Sequence, residues 1–149
     1  MANADRIYVD PSALRSVYLH DERSARLCAW RARTGGALPI TRFGRAEIVN
    51  SLHLAVHRKI LRRPEAAGAV ADLEADIREG RLLLVDALWR RTLDLSVELS
   101  ALHSADLGTR TLDVLHVASA VLLTATVFVT YDKRQSALAR VAGLRIVAP

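Results

Sequence analysis

Apolar residues in this chain gather into short runs separated by longer stretches of helical periodicity, and the alternation predicts an α/β fold. Ile7 to Val9 reads as a first strand, followed by a helix with Pro11 in its first turn, where a missing amide donor costs little. A second helix is expected from Asp21 to Arg33, stopped by Gly35-Gly36. Ala37 to Ile40 suits a second strand, and Thr41 stands where it would cap a long helix from Arg42 to Leu61. Pro64 opens a further helix that ends near Gly80, and Leu82 to Val85 is a third strand. A helical pattern from Ala87 to His103 gives way to SADLGT, which reads as loop. Between Arg110 and Leu123, Leu112, Leu115, Ser119 and Leu122 recur at spacings of three and four and mark the apolar face of another helix. Val127 to Thr130, Lys133 to Val141 and Leu144 to Val147 complete the series as strand, helix and strand. Each strand is an apolar run rather than an alternating pattern, which argues for a parallel sheet covered on both faces. No repeat, low-complexity tract or linker interrupts the chain, so residues 1–149 read as one domain.

Composition narrows the classes. A chain of 149 residues buries roughly two thirds of the surface its unfolded form exposes, so it needs neither disulfides nor structural zinc. The lone Cys28, in the basic stretch DERSARLCAWRAR, fits a reducing cytoplasm and is a poor catalytic candidate. MANADRIYVD lacks the pattern of a secretory leader, and no apolar run approaches the ~20 residues that cross a bilayer. The expectation is a soluble, cytoplasmic protein with no membrane association. Net charge is +5, and setting four candidate site acids aside leaves 21 basic against 12 acidic side chains. An acidic pocket in a basic body suits a polyanion processed with metal. Arginine-rich compositional bias gives the same excess, so charge alone does not choose.

Four acids stand out by position. Asp10 ends RIYVD and Asp132 closes TVFVTYD, so both fall at the carboxyl end of a buried strand, where open parallel sheets form ligand sites. Ser12 follows Asp10 closely enough to orient it, and Thr130 precedes Asp132 with a hydroxyl towards the same edge. Each aspartate also has an ordinary reading as a helix cap. Glu47 lies in the stripe Phe43, Ala46, Glu47, Asn50, Leu54, where a charge is costly unless paired or bound to a cation; alternatively the stripe is an exposed flank. Asp113 begins the helix of RTLDVLHVASA, where the macrodipole favours an anion. His116, one turn on, reads as a core residue with one satisfied nitrogen in preference to a metal ligand or base.

If strands one and four are neighbours, Asp10 and Asp132 meet, with Glu47 and Asp113 reaching in from flanking helices. Carboxylates so close repel one another unless a cation compensates, and an all-oxygen set suits Mg²⁺ or Mn²⁺. That is the equipment of a divalent-metal nuclease. Asp10 and Asp113 would be the main ligands, with Asp132 and Glu47 completing the site and orienting the attacking water. Arg15, Arg42, Arg45, Lys133 and Arg134 are placed to hold phosphates, although each is equally an ordinary solvated charge.

The stretches YVDPSAL, TRFGRAEIVNSL, RTLDVLHVASA and FVTYDKRQSALA, in this order, resemble the PIN-domain endoribonucleases, and among them most the VapC toxins of VapBC toxin-antitoxin pairs. The resemblance covers almost the whole chain. It implies an α/β/α sandwich with a five-stranded parallel sheet of order 3-2-1-4-5 and the acids at the carboxyl edge. It also implies RNA hydrolysis to 5′-phosphate and 3′-hydroxyl ends. The expected partners are RNA, a VapB-like antitoxin placing a basic side chain among the acids, and a second copy in a homodimer or a toxin-antitoxin hetero-oligomer. TRFGRAE departs from the family's usual apolar lead-in to the glutamate, which bears on the substrate groove more than on the metal site.

Other acidic or phosphate-handling folds fit less well. A haloacid dehalogenase would carry a second aspartate where Ser12 stands, and a receiver domain would carry paired acids after the first strand. Zinc and thiol ligand clusters and Gly-rich phosphate loops do not occur. The remaining alternative is a PIN-like module that binds RNA or protein without cutting.

Overall fold

A computed structural model describes residues 5–149. The elements are β1 (Ile7–Val9), α1 (Pro11–Leu14), a 3₁₀ turn (Arg15–Val17), α2 (Ser24–Thr34), β2 (Leu38–Thr41), α3 (Arg42–His57), α4 (Arg63–Arg78), β3 (Leu82–Val85), α5 (Trp89–Leu107), α6 (Thr111–Leu122), β4 (Val127–Val129), α7 (Lys133–Val141) and β5 (Arg145–Val147). Two compact units result, one from the described residues up to Asp10 together with Asp86–Ala148, the other from Pro11–Val85.

All described strand pairings are parallel, as the apolar runs predict, but they form two sheets. The first unit holds β1-β4-β5, with Ile7 opposite Val127 and Val127 opposite Arg145; the second holds β2-β3, with Leu38 opposite Leu82. The single five-stranded order 3-2-1-4-5 is therefore not found, although the neighbours 1-4-5 and 2-3 are. Pro39 lies within β2 and has no N–H to donate, a residue at home only on an edge strand. Apolar runs locate the strands but say nothing of which edges pair, and they do not ensure burial: Leu83 in β3 is 51% exposed, and β5 is exposed at Arg145 and only half-buried at Ile146 and Val147, so these two strands are not covered on both faces as expected.

In the first unit Tyr8, Val114, Val117, Ala118, Phe128, Leu138, Ala139 and Leu144 form the core. Helix α6 is buried continuously from Asp113 to Ala120, so it has no single apolar face, and Leu112, assigned to that face, is instead 50% exposed. Its small residues let neighbours close in all round. Ser104–Leu107, read as loop, continues α5: nothing there breaks a helix until Gly108, whose φ of 64° forms the left-handed cap.

In the second unit the buried side of α3 is Gly44, Ile48, Leu52 and Ala55. The stripe containing Glu47 is the flank beside it, with Ala46 and Asn50 exposed and Glu47 half-buried. Thr41 caps this helix as predicted, its Oγ1 accepting from the Gly44 amide at 3.0 Å. Asp21, expected inside α2, precedes it. Its Oδ1 accepts from the Arg23 amide at 2.9 Å, its Oδ2 from the Ser16 hydroxyl at 2.7 Å, and its own amide donates to Ser24 Oγ at 2.8 Å. Such local bonding favours a turn over a helix. Burial works to raise the Asp21 pKa, but hydrogen bonds from Ser16, the Arg23 amide and Ser24, with the charge of Arg15, together hold it below the usual range. No described helix is long and apolar enough to cross a membrane.

Candidate active site

Hydrogen bonding of the first unit's sheet runs on past its strands and places the site. The Asp10 amide donates to the Val129 carbonyl at 2.9 Å, and the Thr130 amide donates to the Val147 carbonyl at 3.2 Å. Asp10 and Thr130 thus sit side by side at the carboxyl ends of β1 and β4, both buried. Two residues later Asp132 starts α7. Its Oδ1 accepts from the backbone amides of Arg134 at 2.8 Å and Gln135 at 2.9 Å. The cap reading of Asp132 is therefore correct as geometry, and it leaves Oδ2 turned to other work.

Gln135, which the sequence did not single out, joins the aspartates. Its Nε2 donates to Asp10 Oδ1 at 2.9 Å, while its Oε1 accepts from Thr130 Oγ1 at 2.6 Å. The side chain is 1% exposed. A signal was present: an acid followed three residues later by Gln at a helix start is a capping-box pattern, which marks the position though not the use.

Asp113 lies in the first turn of α6, where its Oδ2 accepts from the Arg110 backbone amide at 3.0 Å. The Arg110 guanidinium approaches the same oxygen, Nε at 3.3 Å, and reaches Asp132 Oδ2 with Nη2 at 3.8 Å. Arg110, which no sequence pattern marks, is the cation shared by two of the predicted acids. Three aspartates are thus tied into one chain of contacts, from Asp10 through Gln135 to Asp132 and through Arg110 to Asp113. His116 lies beneath, 2% exposed, with Nδ1 2.8 Å from the hydroxyl of Tyr8, whose ring stacks on Phe128 at 5.5 Å. This is the core histidine that its apolar setting predicts.

Glu47, Ser12, Arg15, Arg42 and Arg45 belong to the second unit. Ser12 and Arg42 are exposed there. Arg45 is already engaged, its Nε 2.7 Å from Glu74 Oε1, and Arg15 has a buried Nε with no hydrogen-bond partner. Lys133 and Arg134 are exposed on the first turn of α7.

Among the described residues no group of three or more His, Cys, Asp or Glu side chains converges to hold a metal ion. The donor set nevertheless fits Mg²⁺ or Mn²⁺, since such ions use one or two carboxylates completed by water and substrate phosphate rather than an all-protein cage. Two nearly buried carboxylates, Asp10 and Asp113, meet that requirement by donor type.

A parallel sheet with linked aspartates at its carboxyl edge defines an α/β domain with an acidic site. The sequence profile of the PIN domain matches residues 7–143, and the chain belongs to the PIN domain family. PIN domains have a nuclease fold and are generally metal-dependent nucleases, which supports nuclease activity in general and a nucleic-acid substrate. No curated protein matches the chain significantly.

Proposed function

We propose that this chain is a Mg²⁺- or Mn²⁺-dependent endoribonuclease of the VapC type, a single-domain cytoplasmic toxin paired with a VapB-like antitoxin. The observation that carries the reading is the linked aspartate set at the carboxyl edge of β1 and β4, with Asp10 buried and bonded to Gln135. The basic balance of the remaining chain and the motif order support an RNA substrate. Asp10 and Asp113 hold the ion, and Asp132 and Glu47 complete the site and orient the attacking water. The ion, when bound, supplies charge stabilisation for the phosphoryl oxygens and a more acidic water. The Gln135 amide donates to Asp10, the α7 amides bond one oxygen of Asp132, and the other oxygen faces Arg110. Ser12 and Thr130 support the acids. Arg15, Arg42, Lys133 and Arg134 hold RNA phosphates, and Arg45 joins them once released from Glu74. The antitoxin supplies a basic group to the acids, and a second copy forms the homodimer.

The test is RNA cleavage by the purified chain with Mg²⁺ or Mn²⁺, beside an EDTA control and the Asp10→Asn and Asp113→Asn variants. Discrete metal-dependent fragments, lost in both variants, are expected. Silence of wild type and variants across several structured RNAs, together with absent metal binding, would leave a non-catalytic binding module as the correct reading.

A further inference from the structure

A buried glutamine at the start of α7 is costly unless both ends of its amide are satisfied. At the third position of a helix that follows an aspartate cap, a glutamine ordinarily reaches back to the backbone N–H of the capping residue. Here that donor is taken: the Asp132 amide donates to Thr130 Oγ1 at 3.1 Å. The Thr130 hydroxyl donates to Gln135 Oε1 at 2.6 Å, and the amide nitrogen turns inward to Asp10 Oδ1 at 2.9 Å. The orientation is forced, because a carboxylate only accepts and a carbonyl oxygen against it would be repelled. The Gln135 backbone amide meanwhile donates to Asp132 Oδ1 at 2.9 Å. One residue therefore grips both aspartates, one through its side chain and one through its main chain. Packing alone would be served by an apolar residue, as it is by Leu138 and Ala139 further along the buried side of α7.

From this geometry we infer that Gln135 is a positioning residue for the acidic site: it fixes the rotamer of Asp10 and its spacing to Asp132, with Thr130 setting the direction of the amide. The inference rests on the nuclease reading of the same site. Partners that orient a metal-ligating carboxylate contribute roughly ten- to a hundredfold in metal affinity or turnover.

Gln135→Met keeps the length and removes the amide, so it separates orientation from packing. Mn²⁺ affinity by calorimetry, kcat and KM on RNA, and thermal stability are measured for wild type, Gln135→Met, Thr130→Val and Asp10→Asn. The expected result is weaker Mn²⁺ affinity and lower kcat, by roughly ten- to a hundredfold, with KM for RNA about unchanged. Thr130→Val should move the same readouts in the same direction by less, and the double variant should show less than the sum. A merely structural glutamine would lower thermal stability and leave the Mn²⁺ affinity of the folded protein untouched. That result, with Mn²⁺ binding abolished by Asp10→Asn, overturns the positioning role and leaves the nuclease reading standing. Equal Mn²⁺ binding by wild type and Asp10→Asn overturns both. Should Gln135→Met not fold, Thr130→Val carries the test, since it removes the orienting hydroxyl and keeps the glutamine.

Discussion

A buried phenol beside a carboxylate makes Tyr18 sensitive to pH in one direction. Its hydroxyl donates to Asp76 Oδ2 at 2.6 Å, and the ring is 8% exposed. Burial first, then the hydrogen bond and the charge of Asp76, push its pKa well above the ordinary phenol value, against a smaller pull from Arg31 and Arg81. The folded value exceeds the unfolded one, so the stabilisation is fully present below about pH 10 and fades as pH rises towards the folded value. Tyr18→Phe should cost about 1–2 kcal/mol at neutral pH in a urea titration. The gap to wild type should narrow above about pH 10; a constant gap would mean that the hydroxyl does not couple stability to pH. At this scale the sequence is unevenly legible. Asp10 and Asp132 announce themselves because each ends an apolar run, whereas Gln135 and Arg110 look like ordinary helix-start residues. Their role depends on who faces them, and facing partners 125 residues apart, as for Gln135 and Asp10, leave no local trace.

The ends of elements are legible in the sequence where a chemical stop exists and obscure where none does. Thr41, Pro11 and Gly35 delimit their helices as expected, because a cap, a fixed φ and a glycine at positive φ act within a few residues. Helix α5 outran its expected end because only Gly108 stops it, and Asp21 delayed α2 by bonding its own neighbourhood. Gly44, inside the stretch TRFGRAE, has its reason at this scale. A Cβ there would lie 2.9 Å from Thr41 Oγ1 and 3.0 Å from Pro11 Cγ, so α3 can start against α1 and keep its cap only without a side chain. Higher helix propensity would favour alanine by about 1 kcal/mol, yet the clash and the disturbed cap oppose it. Gly44→Ala should therefore destabilise the protein by about 1–3 kcal/mol in chemical denaturation. A neutral or stabilised variant would show that the approach of α1 is loose.

For the whole molecule, the family match over residues 7–143 draws on both compact units, and the four motif blocks legible in the sequence all lie within that span. The division into a β1-β4-β5 sheet and a β2-β3 sheet was not, since strand neighbours are chosen by non-local packing rather than by the hydrophobicity of any one run. Net charge of +5, with many of the acids turned to caps and ion pairs, leaves an electrostatic body suited to a phosphate backbone. Lys133 and Arg134 are the sharpest test of that use. They project from the first turn of α7, while the backbone amides of Arg134 and Gln135 make the Asp132 cap, so replacing the two side chains leaves the cap intact. Neutralising phosphates releases counterions, which makes log affinity fall linearly with log salt. Binding of a non-cleavable single-stranded RNA, titrated from low to high salt, should therefore show a shallower slope in Lys133→Ala/Arg134→Ala, by about 0.7 for each phosphate that is no longer neutralised. The drop in affinity should be about equal across RNA sequences, as expected of side chains that position the backbone rather than specify bases. An unchanged slope would place the RNA elsewhere on the molecule, and a drop confined to one sequence would make these side chains base readers.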